Sequence, residues 1–427
     1  MAQLYKPQYT KSRSGYNRIT GFMNDTHFTI TVFIVLLLIA SGVAMVTKWL
    51  PVPYTIALVV VGIVISPMHF LPSVHISPEL ILLIFLPALI FEAAWSLKFA
   101  RVRANFFPIT FLAIIGVGVS VLVTGSIVHL ASGLSWGSSL LFGAIISPTD
   151  PISVLALFKR LGVPERLRVL IEGESLFNDG TAVVLFIIIL NIVTGTTHFN
   201  STGALVAHFF SSFTLVVLGG AALGIAIGFY ASHLTSHFDD HLLEITLTTI
   251  TAYGSFILAE RIHVSPVIAV LVAGLVLGDY GRRKGMSKNT QVAVDSFWEY
   301  AAFVVNSLVF LLIGLEIQIR LLASYLLLIL FAVAAMLAAR LIVTYGTFVF
   351  VNRLIDSVPW RWQHVIFWGG LRGAVSIALA LSLPVNLPDR VQLVAMTFGA
   401  VTFSLLVQGL TISGLLKLLR LGTPARS

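Results

Sequence analysis

Long apolar runs alternate along the chain with short polar stretches that carry most of the charged residues. A helix needs about 20 apolar residues to cross a bilayer, and most of the runs reach that length. They predict thirteen membrane helices, at residues 28–47, 53–66, 78–97, 106–131, 137–158, 167–193, 204–234, 240–260, 266–280, 292–318, 323–351, 364–383 and 388–416. The pattern therefore predicts an all-α, polytopic membrane protein.

The composition agrees with this prediction. Of the 427 residues, 57% are apolar and 10% are charged, whereas about a quarter of the residues of a soluble domain are charged. The chain has no cysteine, which excludes disulfides, thiolate metal sites and cysteine nucleophiles. Glycine-rich stretches such as GGAALGIAIG lie within apolar helices and have no preceding strand, so they predict helix packing and not a phosphate-binding enzyme.

The basic residues predict the orientation of the helices. Lysine and arginine concentrate in the loops after helices 1, 3, 5, 9 and 11 and in the C-terminal tail, whereas the opposite loops hold only Arg261, Arg320 and Arg390. Because loops rich in these residues stay in the cytoplasm, we expect a cytoplasmic C-terminus and an outside N-terminus. The basic residues of the polar N-terminal tail (residues 1–27) count against this orientation. The net charge of +8 thus reflects membrane topology and does not indicate nucleic acid.

Ionisable residues also lie inside the predicted helices. The acids are Glu92, Asp150, Glu172, Glu174, Asp179, Glu244 and Glu299, and the arginines are Arg340 and Arg372. A charge at mid-bilayer costs about 3 kcal/mol or more unless it is paired or hydrated. Each of these residues is therefore a candidate functional residue.

Helix 6, IEGESLFNDGTAVVLF, holds the densest polar group. Ser175, Asn178 and Asp179 are spaced so that their oxygens share one face of the helix. Hydroxyl, amide and carboxylate oxygens suit a hard monovalent cation. Glu174 lies beside that face and is placed to pair with a buried arginine. The alternative is that these residues only lock helices together; the presence of three of them on one face favours a cation site.

In helix 5, the stretch IISPTDPISV places Asp150 between two prolines. Pro148 and Pro151 lack a backbone N–H, so we expect the chain to unwind at Thr149 and Asp150. Unwound backbone at membrane depth must be buried in protein or line a wet cavity, where its free carbonyls bind a cation. A simple proline kink is the alternative, and the carboxylate at the break favours a binding site.

Helix 12, FWGGLRGAVSIALALSLP, has three glycines around Arg372, which weaken the helix there. Helices 5 and 12 are seven apart, which fits two six-helix halves of opposite orientation with helix 7 as a linker. Interrupted helices at corresponding places of inverted repeats mark the midplane site of a transporter. We expect Arg372 to neutralise half-helix ends and nearby carboxylates.

Five motifs together resemble those of the cation–proton antiporter family, in the branch of prokaryotic NhaP-type antiporters and animal sodium/proton exchangers. The motifs are SPTDP, GESLFNDG, WGGLRGAVSIALALSLP, AERIHVSPVIAVLVAGLVLG and FWEYAAFVVNSLVFLLIGLEI. The resemblance covers nearly the whole hydrophobic region in the family's order. The chain differs from animal members in having only a short predicted cytoplasmic tail (residues 422–427), so we do not expect regulation by a partner bound there.

The resemblance implies a homodimer with one antiporter domain per chain, at residues 28–421. Within it, a mobile core (residues 106–193 and 323–416) would slide against a dimerisation scaffold (residues 28–97 and 204–318). The implied function is exchange of a monovalent cation for protons by alternating access, which serves pH and sodium homeostasis at the plasma (inner) membrane. Sodium is the first choice of cation, with lithium and potassium as alternatives, and no cofactor is implied.

The resemblance also assigns site residues. The implied sodium ligands are Asp150, Asp179, Ser175 and Thr149, with Asn178 beside them and Glu92 of helix 3 facing the site. It pairs Glu174 with Arg340. Relatives with Asn-Asp at the position of Asn178–Asp179 exchange one cation for one proton, and an amide does not titrate, so we expect electroneutral exchange.

On this hypothesis a proton and a sodium ion exclude each other at Asp179, with Asp150 contributing. A cation-coupled symporter of a small solute is the main alternative, and an uncoupled proton or cation channel is another. Flux in solute-free vesicles distinguishes the first alternative and electrical recording the second.

The stretch ASHLTSHFDDH raises a separate question. It places His233, His237 and His241 near Asp239 and Asp240 in the predicted cytoplasmic loop between helices 7 and 8. Such spacing is compatible with metal binding or pH sensing, but a solvated loop or helix end is the favoured interpretation.

Overall fold

A computed structural model of the chain describes residues 13–50, 52–68, 78–195, 201–237, 239–354 and 357–421. Side chains are described for all of these except residues 13–29, 159 and 160. Helices are the only regular secondary structure in these ranges. Residues 1–12 of the predicted N-terminal tail and the whole predicted tail 422–427 lie outside them.

Within these ranges a helix occurs at each of the thirteen predicted positions, and the fifth and twelfth helices are each interrupted. We name them α1 (Arg13–Thr47), α2 (Tyr54–Met68), α3 (Leu80–Ser96), α4 (Phe106–Ser132), α5a (Trp136–Ile146), α5b (Ile152–Leu161), α6 (Glu165–Val193), α7 (Thr202–Thr235), α8 (His241–Arg261), α9 (Pro266–Val276), α10 (Lys288–Glu316), α11 (Leu326–Leu354), α12a (Trp360–Trp368), α12b (Ala374–Leu381) and α13 (Arg390–Leu418). Within the described residues, 8 helices are long and apolar enough to cross a membrane. The predicted all-α membrane fold is thus confirmed.

Several helices contain or continue into a π-helical turn. These turns are Leu80–Phe85 in α3, Phe111–Gly116 in α4, Leu277–Gly281 after α9 and Ser404–Gln408 in α13. Short helices also occur at Phe99–Ala104, Arg282–Gly285 and Ile319–Ser324. Helix α1 begins at Arg13, so part of the segment predicted as a polar tail is helical.

Local sequence signals account for many helix ends. The side chains of Ser135, Asp240, Ser265 and Ser287 accept backbone N–H groups in the first turns of α5a, α8, α9 and α10. Such caps satisfy donors that have no partner within a helix. Gly162 follows the last residue of α5b and caps the helix; its φ of 64° is a left-handed conformation that favours glycine.

The glycine-rich stretch of α7 packs closely against α9, as predicted. A Cβ atom added at Gly220 or Gly224 would lie 2.7 Å from the carbonyl oxygen of Ser265 or 2.5 Å from that of Ala269. These distances are too short for a side chain. The glycines therefore allow the two helix backbones to approach each other, as small residues do at membrane helix interfaces.

The helices pack mainly in two groups. In one group, α4 packs against α5a and α11, α6 packs against α5a, and α11 packs against α13. In the other group, α7, α8 and α3 pack against α9, and α2 packs against α10. Helix α12a packs against α11 and α12b packs against α13. Both interrupted helices therefore belong to the first group, and the breaks lie inside a bundle of helices.

Candidate functional site

The breaks in the two interrupted helices cross each other. The backbone N–H of Asp150 donates to the carbonyl oxygen of Leu371, at 2.7 Å. Pro148 and Pro151 flank the first break, and Gly369, Gly370 and Gly373 flank the second. Because this backbone leaves helical geometry, its polar groups need partners outside their own helices.

Arg372 is the hydrogen-bond partner of two of these backbone groups. Its guanidinium Nη1 donates to the carbonyl oxygens of Ser147 and Pro148, at 2.7 Å and 3.0 Å. Arg372 is 2% exposed. Its positive charge therefore lies against the carbonyl end of α5a, where a helix carries partial negative charge.

The polar face of α6 lies against the break in α5. Ser175 Oγ donates to the carbonyl oxygen of Thr149. Asn178 Nδ2 donates to the carbonyl oxygen of Ser147 at 3.1 Å and to Thr149 Oγ1 at 3.3 Å. Thr149, Ser175 and Asn178 are all buried. These hydrogen bonds hold the unwound segment at a fixed distance from α6.

Two aspartates complete the crossing. Asp150 Oδ1 accepts the backbone N–H of Ile152 at 3.1 Å, and the rest of its carboxyl lies against Gly373. The carboxylate of Asp179 interacts with the backbone of Thr149 and with the charges of Asp150 and Arg372. Among the described residues, Asp179 Oδ1 has no hydrogen-bond partner, nor does Asn178 Oδ1. Carboxylate, hydroxyl and amide oxygens thus lie at the crossing, and oxygens of these kinds are suited to a hard cation.

Glu174 and Arg340 form a buried ion pair beside the crossing. Arg340 Nη1 donates to Glu174 Oε1, and Arg340 Nη2 donates to Glu174 Oε2 at 2.9 Å. Arg340 Nη2 also donates to the carbonyl oxygen of Ile366 in α12a, at 2.8 Å. Two parallel bonds give an arginine–carboxylate pair a defined geometry. The pair therefore links α6, α11 and α12a.

The remaining predicted acids lie in different environments. Glu92 is half-buried and accepts a hydrogen bond from Ser96 of its own helix at 3.1 Å. Glu172 pairs with Arg168 at 3.8 Å, and Glu299 is exposed. Glu244 is 2% exposed, and neither of its carboxylate oxygens has a partner among the described residues.

The histidine-rich stretch does not form a metal centre in the part of the chain that the structure describes. No group of three or more histidine, aspartate or glutamate residues there is placed to hold a metal ion. The rings of His233 and His237 lie 4.7 Å apart. Hydrogen bonds from Ser287 and Thr290 lower the pKa of Asp239, so this carboxylate is tied to the start of α10.

A cavity of about 740 Å³ approaches the crossing from one side. Its wall is formed by α3, α6, α7, α8, α9 and α12b, and is mostly apolar. The polar residues that line it include Glu79, Asn191, His208, Glu260 and His263. Its lining on α6 begins at Val183, one helical turn after Asp179. The cavity lies between the two groups of helices.

Sequence reasoning missed several groups at the crossing. The prolines predict free carbonyls at the break in α5, but they do not identify the carbonyls of Ser147 and Pro148 as partners of Arg372, and no residue type signals the role of the carbonyl of Leu371. Ser404 and Gln408, in α13, also contact the break in α12. A glutamine within an apolar run is a signal that could have identified Gln408, because a buried amide needs hydrogen-bond partners.

Comparison with known proteins adds independent findings. The family model described as the transmembrane sodium/hydrogen exchanger matches residues 32–418. The Na(+)/H(+) antiporter ApNhaP of Aphanothece halophytica is 46% identical over 396 residues, which cover 91% of this chain and 74% of that protein. The low-affinity Na(+)/H(+) antiporter NhaS1 of Synechocystis is 42% identical, over 90% of this chain and 74% of that protein.

The fold also matches a solved structure. The sodium proton antiporter MjNhaP1 from Methanocaldococcus jannaschii superimposes with a TM-score of 0.75, over 91% of this chain and 98% of that chain. The two sequences are 20% identical. At this identity the likeness bears on the fold alone.

Proposed function

The chain belongs to the sodium/hydrogen exchanger family, and from this premise we propose that it exchanges Na⁺ for protons at the crossing of α5 and α12. Asp179 and Asp150 are the groups that bind either ion. The observation that carries the proposal is that both carboxylates meet at unwound backbone inside a helix bundle, a typical setting for the ion sites of secondary transporters.

Sodium binds to oxygen atoms of Asp150, Asp179, Thr149 and Ser175. Hard oxygen ligands replace the hydration shell of the ion. Asn178 contributes by holding Thr149 and the carbonyl of Ser147 in place. Glu92 of α3, which the family resemblance assigns to the site, helps to attract the cation.

Coupling follows from competition between the two ions. A carboxylate shielded from water at membrane depth needs either a proton or a cation to offset its charge. Binding of Na⁺ therefore releases the proton, and binding of the proton releases Na⁺. Only the occupied core crosses between the two sides, so neither ion crosses without an exchange.

The charges at the crossing favour electroneutral exchange. Asp150, Asp179 and Glu174 carry three negative charges, and Arg340 and Arg372 carry two positive charges. The excess is one negative charge, which one Na⁺ or one proton neutralises. Asn178 adds no titratable group, so one proton is exchanged for each cation.

The cavity of about 740 Å³ gives the ion access from one side. In the orientation that we expect from the basic loops, that side is outside the cell, so this conformation faces outward. On the cytoplasmic side, a hydrogen bond between the hydroxyls of Thr55 and Ser153 joins α2 of the scaffold to α5b of the core. The core, formed by α4–α6 and α11–α13, then slides against the scaffold to open the other side.

The remaining helices serve assembly. The scaffold pairs with a second copy to form a homodimer in the plasma (inner) membrane, with the N-terminus outside and the C-terminus cytoplasmic. A fixed scaffold gives the moving core a surface against which to slide. The exchange serves pH and sodium homeostasis and uses no cofactor.

A transport assay tests this proposal. The purified protein is placed in sealed liposomes with an internal pH dye and an imposed proton gradient, and NaCl, LiCl or KCl is added. We expect Na⁺ to dissipate the gradient in the wild type and not in Asp179→Asn. Because the exchange is electroneutral, clamping the voltage with valinomycin should leave the Na⁺ rate unchanged.

The same assay distinguishes the alternatives. A pH change that requires an added organic solute would indicate a symporter. A Na⁺-independent proton current would indicate a channel, and equal rates in the wild type and Asp179→Asn would place the ion site elsewhere.

A further inference from the structure

The π-helical turn of α13, Ser404–Gln408, lies directly against the break in α12. Its two polar residues at the ends of the turn, Ser404 and Gln408, are 0% and 1% exposed. π-helical turns are rare in proteins and are frequently found at functional sites. Two buried polar side chains in a turn of this kind therefore call for a physical explanation.

The break in α12 supplies that explanation. An interrupted helix leaves carbonyls without partners at the end of its first half and N–H groups without partners at the start of its second half. Gln408 Nε2 donates to the carbonyl oxygen of Trp368, the last residue of α12a, at 3.3 Å. Ser404 Oγ accepts the backbone N–H of Arg372 at 3.0 Å. The turn thus provides a donor for the carbonyl at the end of α12a and an acceptor for the N–H of Arg372 on the other side of the break.

The segment held in this way is the one that contacts the ion site. Between the two edges, the carbonyl oxygen of Leu371 accepts the N–H of Asp150, and the side chain of Arg372 holds the carbonyls of Ser147 and Pro148. A shift of residues 371–372 would therefore move Asp150 and Thr149. Ser404 and Gln408 act on the site through this backbone.

We propose that Ser404 and Gln408 are positioning residues for the cation site, and that the π-helical turn of α13 sets the position of the α12 break and thereby of Asp150. The proposal rests on the proposed function, because it assumes that Asp150 binds the exchanged cation. The proposal gives α13 a role in ion binding, although none of the proposed sodium ligands lies on that helix.

Ser404→Ala tests the proposal, because it removes the acceptor with little change in volume. We expect the apparent KM for Na⁺ in the liposome assay to rise about fivefold or more, with the maximal rate per folded protein within about twofold of wild type. A residue that serves stability alone would lower the amount of folded protein and leave this KM unchanged.

Thr397→Val is the matched control. Thr397 also lies in α13 and is 0% exposed, but its hydroxyl donates to the carbonyl oxygen of Leu393 in its own helix. The valine variant should retain the wild-type KM. If Ser404→Ala does not fold, Gln408→Met replaces it in the test. This variant should raise the KM for Na⁺ in the same way, because it removes the hydrogen bond to the carbonyl oxygen of Trp368.

Hydrogen–deuterium exchange of the backbone gives a second readout that does not depend on transport. The N–H groups of residues 369–373 should exchange about tenfold faster in Ser404→Ala and at the wild-type rate in Thr397→Val. A wild-type KM in Ser404→Ala, or unchanged hydrogen exchange, would overturn the proposal. If the wild type itself shows no Na⁺-dependent exchange, the proposed function fails, and hydrogen exchange alone still shows whether the turn holds the break.

Discussion

Glu174 and Arg340 illustrate how single residues support the crossing. Their exposed fractions are 2% and 6%, and the pair joins three helices. An ion pair inside a protein contributes little net stability, because both charges lose their hydration. Loss of one partner is different, since it leaves the other charge buried without compensation.

The variant Glu174→Gln should therefore lose about 3–5 kcal/mol of stability, because Arg340 keeps its charge without a counter-charge. Melting temperature in detergent measures the effect. Glu174→Gln combined with Arg340→Met should recover part of the loss.

A surface pair provides the comparison for this prediction. Asp279 pairs with Arg283, and their side chains are 20% and 71% exposed. Asp279→Asn should cost less than about 1 kcal/mol, because water screens the charges. Equal melting temperatures for Glu174→Gln and wild type would contradict the role given to the buried pair.

At this scale, the sequence identifies charged residues better than it identifies their partners. Asp150, Asp179 and Arg372 stand out, because a charge in an apolar run is costly and therefore noticeable. Their partners include the carbonyls of Ser147 and Leu371. Every residue has a carbonyl, so only the three-dimensional path of the chain shows which ones face the site.

At the scale of elements, the two interrupted helices shape the proposed ion site. Proline predicts the break in α5 because it removes N–H groups and clashes with the preceding turn. Glycine predicts the break in α12 less directly, because it lowers helix stability without excluding a helix. The π-helical turns were not predicted. One extra residue rotates the rest of the helix by about 100°, but a helix that is apolar on most faces shows no polar stripe that would reveal this rotation.

Gly373 gives a sharp test of how closely the breaks approach. A Cβ atom at this position would collide with the carboxyl of Asp150. Gly373→Ala should therefore displace Asp150 and reduce Na⁺-dependent exchange on the order of 10- to 100-fold. Initial rates in liposomes, normalised to folded protein, measure the effect.

Gly414→Ala is the control, because a Cβ atom at Gly414 in α13 would meet nothing within 4 Å. This variant should retain the wild-type rate. Wild-type exchange by Gly373→Ala would show that the carboxyl of Asp150 does not depend on the close approach of α12.

At the scale of the whole molecule, the hydrophobic pattern predicts the number and sequence of helices well, because the bilayer imposes a minimum helix length. It does not predict the cavity. The cavity depends on how the two groups of helices lie against each other, and we propose that this arrangement changes during alternating access.

The direction in which the cavity opens is testable, because the chain has no cysteine of its own. Ile187 lines the cavity and is 45% exposed, whereas Ile171 of the same helix is 3% exposed and does not line it. A membrane-impermeant maleimide added outside should modify Ile187→Cys and leave Ile171→Cys unmodified. If the maleimide modifies Ile187→Cys only from the cytoplasmic side, the cavity opens to the cytoplasm and the proposed orientation is wrong.

The central claim is that one site, built around Asp179, holds either a proton or a sodium ion. Its most direct test is to count the protons that purified protein in weakly buffered detergent solution releases when NaCl is added. Because the crossing carries one excess negative charge, we expect the wild type to release about one proton per Na⁺ bound and Asp179→Asn to release none. Sodium binding without proton release in the wild type, or equal release by Asp179→Asn, would contradict the account.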